Sequence, residues 1–454
     1  FLTRGKISKF GNMVRLISLV ASGISLTTAI ESEIDSESTW RQRLEAGTPF
    51  HNVARAPRAD MFEDALPQLD ITELAKDIRL VMRDNIAAWP ADFGEPNGEG
   101  GNYGPQLVRL AWHCSGTYRQ SDGKGGCGGA RQRFEPERSW DDNTNLEKTR
   151  ALLAPIKDKY GDALSWGDLI NFAATESIRE MGGPLTKFCF GRIDEPDGTN
   201  SEALLENGAP CNSFQGNCQE PFGTGTTGLI YVNPEGPVLE AGGSPVPDPA
   251  LSAKDIRDVF RRMGDDDKDI VALIGGGHAF GKVHGACTDG AGLRVSEAFA
   301  QNLEKAWEGT CGDGELKGVG PNTVTSGFEG PWTHTPTQWG NGFFTGLLHY
   351  EWERHTGPGG HQQWRVKNAT GATAGLMRLT SDLALIYDYK FLYWVKKFAH
   401  YQSALDTAFD EAWFKLTHRG GRWSTKSFCD QGPMPSWVME QNHKFMLDSD
   451  AILV

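Results

Sequence analysis

Residues 108–119 read VRLAWHCSGTYR, and within them Arg109, Trp112 and His113 stand at i, i+3 and i+4. On a helix that spacing sets a guanidinium, an indole and an imidazole on one face, with Gly116 placed to end the helix just beyond. A base beside a cation suits one kind of chemistry. The base takes a proton from a small substrate and returns it to the leaving atom, while the cation stabilises the negative charge that develops as a bond breaks. Taken alone, the triplet also fits a buried Trp with two polar neighbours, since three-residue matches are cheap.

A second segment answers it. LIGGGHAFGKVHGAC (273–287) predicts a helix that runs into three glycines and then His278. Glycines carry no side chain, so the backbone there can approach something flat, and His278 becomes a candidate axial ligand for haem iron. His284 is the runner-up; six residues from His278, it does not share a helical face with it. A ligating His usually hands its other N–H to a carboxylate, and Asp382 in LTSDLALIYD is the candidate. A haem peroxidase needs a distal base, a distal cation and a proximal His with anionic character; His113, Arg109 and His278 supply the three.

The elements that must hold these residues are mostly helical. Asp70 reads as the cap of a helix lasting until Pro90. Further helices are predicted at about 103–113, 145–159 and 165–181, the last stopped by Gly182 and Gly183. Ser252 is expected to cap AKDIRDVFRRM, and Asp266 or Asp267 to cap KDIVALI. Later helices are expected at 343–354, 389–400 and 403–417. Two long Gly- and Pro-rich stretches, about 194–227 and 233–249, are expected to be functional loops. Period-2 strand patterns are scarce. The fold class is mainly α, with two helical lobes.

The chain has 454 residues, 39% apolar, enough for a large core. A net charge of −14 argues against a nucleic-acid partner. Near the N-terminus, Met13, Arg15, the apolar run Leu16–Leu26 and Thr27-Thr28-Ala29 form a secretory leader pattern, too short to span a membrane. We therefore expect a leader over 1–29 with its start at Met13, a disordered extension over 30–68, a domain over 69–430 and a tail over 431–454. The leader also fits the first part of a two-step plastid address. Eight cysteines permit disulfides in a secreted chain. Cys211 and Cys218 are the best local pair, no CxxC suggests zinc, and Asn368 opens one glycosylation sequon.

The motifs RLAWHCSGTYR, GGARQRFEPERSWDDNTNLEKTR, LSWGDLINFA, GLIYVNPEGP, DIRDVFRRM, LIGGGHAFGKVHG and TSGFEGPWTHTPTQW occur in this order. Through them the chain, from about 103 to 419, resembles the class I haem peroxidases, most closely the catalase-peroxidases. The resemblance implies the haem peroxidase fold, two helical lobes sandwiching one haem b. It implies that Arg109, Trp112 and His113 form the distal triad and that His278, Trp332 and Asp382 form the proximal one. Asn143 then orients the distal His, and Asp142 stands at the entrance channel. Trp112, Tyr231 and Met263 match the three residues that this family cross-links covalently, and Arg419 matches a mobile Arg that tunes the adduct. The implied activity is bifunctional: two H2O2 give O2 and two H2O, and small organic donors are oxidised one electron at a time. The sequence names no donor and leaves a homodimer open.

Departures from the family open alternatives. Typical catalase-peroxidases carry a second, haem-free domain that supports the active site, and this sequence ends soon after the first. A monofunctional hybrid-type peroxidase, or a non-catalytic haem-binding subunit, is therefore the alternative expectation. Cys114 follows the distal His directly, where a small residue is usual. A thiol beside an oxidising haem is a hazard unless it is tied up, and Cys127 is the nearby candidate partner. Val283 stands where a Thr is common.

Overall fold

The structure is a computed structural model that describes residues 59–84, 91, 93, 101–139, 143, 146–202, 235–236, 246–283, 286–287, 323–324, 328, 330–357 and 362–442. It is mainly α. The hub of the N-terminal half is the Trp166–Glu180 helix. Ser165 caps it, its Oγ accepting the Asp168 N–H at 3.0 Å. The Asp194 carboxylate accepts the N–H groups of Trp166 (2.8 Å) and Gly167 (2.9 Å), setting negative charge on the positive end of the helix. Every residue from Trp166 to Ile178 is buried. A helix buried all round belongs to a core, and the Ile71–Met82, Gly104–Ser115 and Leu146–Tyr160 helices pack around it.

The C-terminal half forms a second group from the helices Pro249–Met263, Asp267–Gly277, Gly342–His349, Thr380–Tyr387, Tyr389–His400 and Gln402–His418. Within it the Asp267–Gly277 helix lies against the last two. The Gln402–His418 helix also touches Gly104–Ser115 and so joins the two groups, which correspond to the expected lobes.

Strands are short. Cys189–Ile193 pairs antiparallel with Arg422–Cys429, Cys189 opposite Cys429, and a disulfide closes that pair. The ladder is irregular at Gly191, whose φ of 122° favours glycine and where a Cβ would meet Ser427 Oγ at 2.0 Å. Beside it, Arg192 is fully buried against the equally buried Asp168 at 2.8 Å, between the Phe188 and Trp423 rings. A small three-stranded sheet joins Trp352–Thr356, Gln362–Val366 and Met377–Arg378.

Several expectations are corrected. The helix capped by Asp70 ends at Met82, not near Pro90, because the Met82 carbonyl is taken by the Tyr103 N–H at 2.8 Å. The Pro249–Met263 helix starts three residues before the Ser252 site, capped by Asp248 through the N–H groups of Ala250 and Leu251. The helix expected over 343–354 stops at His349, and Trp352–Thr356 is strand, its aromatic and β-branched residues pairing along Gln362–Val366. The extension expected to be disordered over 30–68 is ordered from Ala59. A helix over Ala59–Ala65 and a turn to Gln68 bury Phe62 and Leu66. Nor does the domain end at residue 430. Residues 436–442 are helical, Val438 is buried against Cys189 and Trp423, and Asn442 holds the Trp423 backbone. The leader, Cys211 and Cys218 lie outside the described residues. Among the described residues no helix is long and apolar enough to cross a membrane.

Candidate active site

The Gly104–Ser115 helix carries Arg109, Trp112 and His113. Asn102 accepts the Gly104 N–H at 2.8 Å, and Pro105 occupies the first turn, where no N–H is needed. At the other end the Gly116 N–H closes on Trp112 O, and Arg262 donates to the Gly116 carbonyl at 2.7 Å, a cation at the negative end of the helix. Arg109, Trp112 and His113 therefore share one face, with His113 buried and the other two half-buried.

His113 Nδ1 lies 3.1 Å from Asn143 Oδ1. The amide is fixed by its other end, since Asn143 Nδ2 donates to the Glu137 carbonyl at 2.7 Å, and a carbonyl can only accept. Gln132 donates to the same Asn143 oxygen, and Arg150 donates to Gln132. The Glu137 side chain is held by Arg131 at 3.1 Å and Ser201 at 2.6 Å. With Nδ1–H committed to Asn143, the lone pair of His113 sits on Nε2. Gln132, Arg150 and Glu137 were not singled out from the sequence, although all three lie in the quoted GGARQRFEPERSWDDNTNLEKTR motif.

Trp112 stacks on Phe260, ring centroids 5.4 Å apart. Met263 stands one turn farther on the same helix and is fully buried. Tyr231 and Asp142 lie outside the described residues. Arg419 donates to Asp265 Oδ1 at 2.5 Å and to the Gly264 carbonyl at 3.0 Å, just past Met263. Burial pushes the Asp265 carboxyl up to about 6, with Arg419 opposing. A folded value above the unfolded one means stability that is full below pH 4 and lost as pH rises through 6. Asp265→Asn should remove that loss. Chemical unfolding at pH 4 and pH 7 should show wild type losing on the order of 2–3 kcal/mol relative to the variant; an equal difference at both pH values would sink the assignment.

In the C-terminal group, His278 ends the Asp267–Gly277 helix, its N–H on Ile274 O. His278 Nδ1 lies 2.8 Å from Asp382 Oδ1. Asp382 is wholly buried, and its Oδ2 accepts the Trp332 indole N–H at 2.9 Å and the Leu379 N–H at 2.8 Å. The last contact caps the Thr380–Tyr387 helix and fixes the carboxylate. Trp332 stacks on the His278 ring at 4.0 Å and 10°. Buried Arg378, another residue sequence reading missed, donates to the carbonyls of Trp332 (2.7 Å) and Phe343 (3.0 Å). The structure thus brings His278, Trp332 and Asp382 together as one hydrogen-bonded group.

The residues present fit a haem. The carboxylate takes Nδ1–H, so His278 turns Nε2 outward with its lone pair, on a side chain 28% exposed. The glycines act differently from the expectation. A Cβ on Gly275 would strike Phe344 at 2.1 Å and one on Gly276 would strike Phe409 at 2.3 Å, so these two admit core rings. Only Gly277, next to His278, would meet no atom within 4 Å among the described residues. Cys114 is bonded to Cys127, so the residue next to His113 carries no free thiol.

Comparison with known proteins agrees with this geometry. The chain is 38% identical to the catalase-peroxidase of Escherichia coli over 93% of this chain and 58% of the relative. It is 42% identical to the catalase-peroxidase of Halobacterium salinarum over 80% of this chain and 50% of that one. With that of Saccharopolyspora erythraea the figures are 41%, 84% and 52%. The chain thus spans about half the length of the curated relatives it matches. The family model described as Peroxidase matches residues 82–401, and the chain belongs to the peroxidase family.

Proposed function

We propose that the chain is a haem-dependent enzyme with catalase-peroxidase chemistry. It converts two H2O2 to O2 and two H2O and oxidises a small reducing donor one electron at a time. The observation that carries this is a pair of histidines on two helices, each with Nδ1 committed to an acceptor, Asn143 and Asp382. One serves as base and the other as ligand. His278 would hold one haem b per chain, which would supply the two-electron reduction of peroxide. His113 takes the proton from H2O2 and returns it to the leaving oxygen; Arg109 stabilises the charge that builds on that oxygen. Asn143 keeps the His113 tautomer, Asp382 the His278 one. Trp332, stacked on His278, is the redox-active neighbour. Asp142 guides peroxide inward, and Trp112, Tyr231 and Met263 form a covalent adduct that Arg419 tunes. Two disulfides, Cys114–Cys127 and Cys189–Cys429, support a secretory route.

The test is O2 evolution from haem-loaded protein given H2O2, with Tyr231→Phe alongside. Strong O2 release that collapses in the variant, while oxidation of a dye donor survives, is the expected result. Dye oxidation with little O2 from either protein would mean a monofunctional peroxidase. Silence in both assays would mean a haem-binding subunit without catalysis.

A further inference from the structure

A row of touching aromatic rings runs from the proximal group to the surface. Phe343 meets His278 at 5.7 Å between centroids, Phe344 meets Phe343 at 5.3 Å, and Phe398 meets Phe344 at 5.4 Å. Trp394 meets Phe398 at 5.7 Å, and Tyr393 meets Trp394 at 5.0 Å. At the inner end Trp332 stacks on His278; at the outer end Tyr393 is 59% exposed. The row is rigid. Phe344 fills the space left by Gly275, and Asn341 donates to the Phe398 and Ala399 carbonyls. Its two ends are the residue types that give up an electron most readily, Trp and Tyr. The phenylalanines between them take no charge; they fill the gap with packed carbon at interior density.

The outer end is also charged against the rest of the molecule. Lys390, Lys396 and Lys397 lie on the same Tyr389–His400 helix, in a chain of net charge −14. Lys397 Nζ stands 4.9 Å from the Trp394 ring, and Tyr389, beside Lys390, is 76% exposed. The one carboxylate at the helix start, Asp388, is already bound to Arg257. A local basic patch around exposed aromatic rings attracts anions and aromatic ring faces.

We propose that Tyr393 and Trp394 form a surface oxidation site for anionic phenolic donors too large to enter the haem pocket. Trp394 first loses one electron inward to the oxidised His278–Trp332 stack, tunnelling across the packed Phe398, Phe344 and Phe343 rings, and each phenol then returns one electron to Trp394; the phenol O–H proton goes to water. Two such steps reduce one H2O2: 2 ArOH + H2O2 → 2 ArO• + 2 H2O. The proposal rests on the peroxidase reading above.

The probe is a phenol coupled to dextran sulfate, compared with free phenol, using haem-loaded full chain. The double variant Tyr393→Phe/Trp394→Phe keeps an aromatic ring at both positions but removes the phenol and the indole, the two groups that give up an electron. It should lose dextran-linked phenol oxidation by at least about tenfold while free-phenol oxidation stays unchanged. A spin trap added with H2O2 should mark Tyr393 or Trp394 in wild type, read by peptide mass spectrometry. Equal turnover of the dextran probe by both proteins, or no label on this helix, would overturn the proposal. Wild type that oxidises free phenol but not the probe would also overturn it and leave the peroxidase reading standing. Wild type that oxidises neither would remove both.

Discussion

His113→Leu should slow the reaction of the haem-loaded protein with H2O2 by about a hundred- to ten-thousandfold, the usual contribution of a positioned acid–base group. Stopped-flow absorbance after mixing with peroxide measures it directly. The size follows from the geometry. His113 is buried, and its Nδ1 is held by Asn143, which assigns the proton transfer to Nε2. Leucine fills the same space without either role. Asn143→Ala supplies the internal control. It leaves the imidazole in place but frees Nδ1 from an acceptor that Gln132 and the Glu137 carbonyl hold in one orientation. The loss there should be smaller, about ten- to a hundredfold, as for other residues that orient a functional His. A His113→Leu protein that reacts within tenfold of wild type would place the base elsewhere.

The distal helix was legible because its signals are local. The spacing of Arg109, Trp112 and His113, with Gly116 as the stop, reads directly from periodicity, and the helix ends within two residues of the expected place. The Tyr389–His400 helix was legible for the same reason, its apolar residues recurring at helical spacing. What sequence reading missed depends on contacts between distant segments. Nothing near Met82 says that Tyr103 will take its carbonyl and end the helix. Cys189 and Cys429 are 240 residues apart, and only the pairing of their two strands brings them together. The glycine run was read as clearance for a flat cofactor, yet two of its three members make room for Phe344 and Phe409. Glycine announces close approach but not what approaches. Arg378 was missed because a lone Arg in a helix approach normally reads as a solvated charge, and here it is fully buried beneath the Trp332 and Phe343 carbonyls.

That buried pair of opposite charges, Asp382 and Arg378, leads to the second large effect. Asp382→Ala should both destabilise the protein and raise the reduction potential of its bound haem iron. The stability loss arises because the carboxylate accepts from His278, Trp332 and Leu379 at once. Truncation leaves buried donors without partners, each worth about 1–3 kcal/mol, so chemical unfolding should show a loss of several kcal/mol. The potential rises because a negative charge behind His278 favours the more oxidised, more positive iron, and the alanine removes it. Arg378→Met tests the same logic with the opposite sign. Burial lowers the Arg378 guanidinium to about 10, with Asp382 opposing, so it still carries its charge at neutral pH. It therefore offsets part of the Asp382 field, and its removal should lower the potential. Potentiometric titration of the two haem-loaded variants should move in opposite directions from wild type. If both move the same way, or neither moves, the charges do not act on the iron through His278, and the role of Asp382 is structural only.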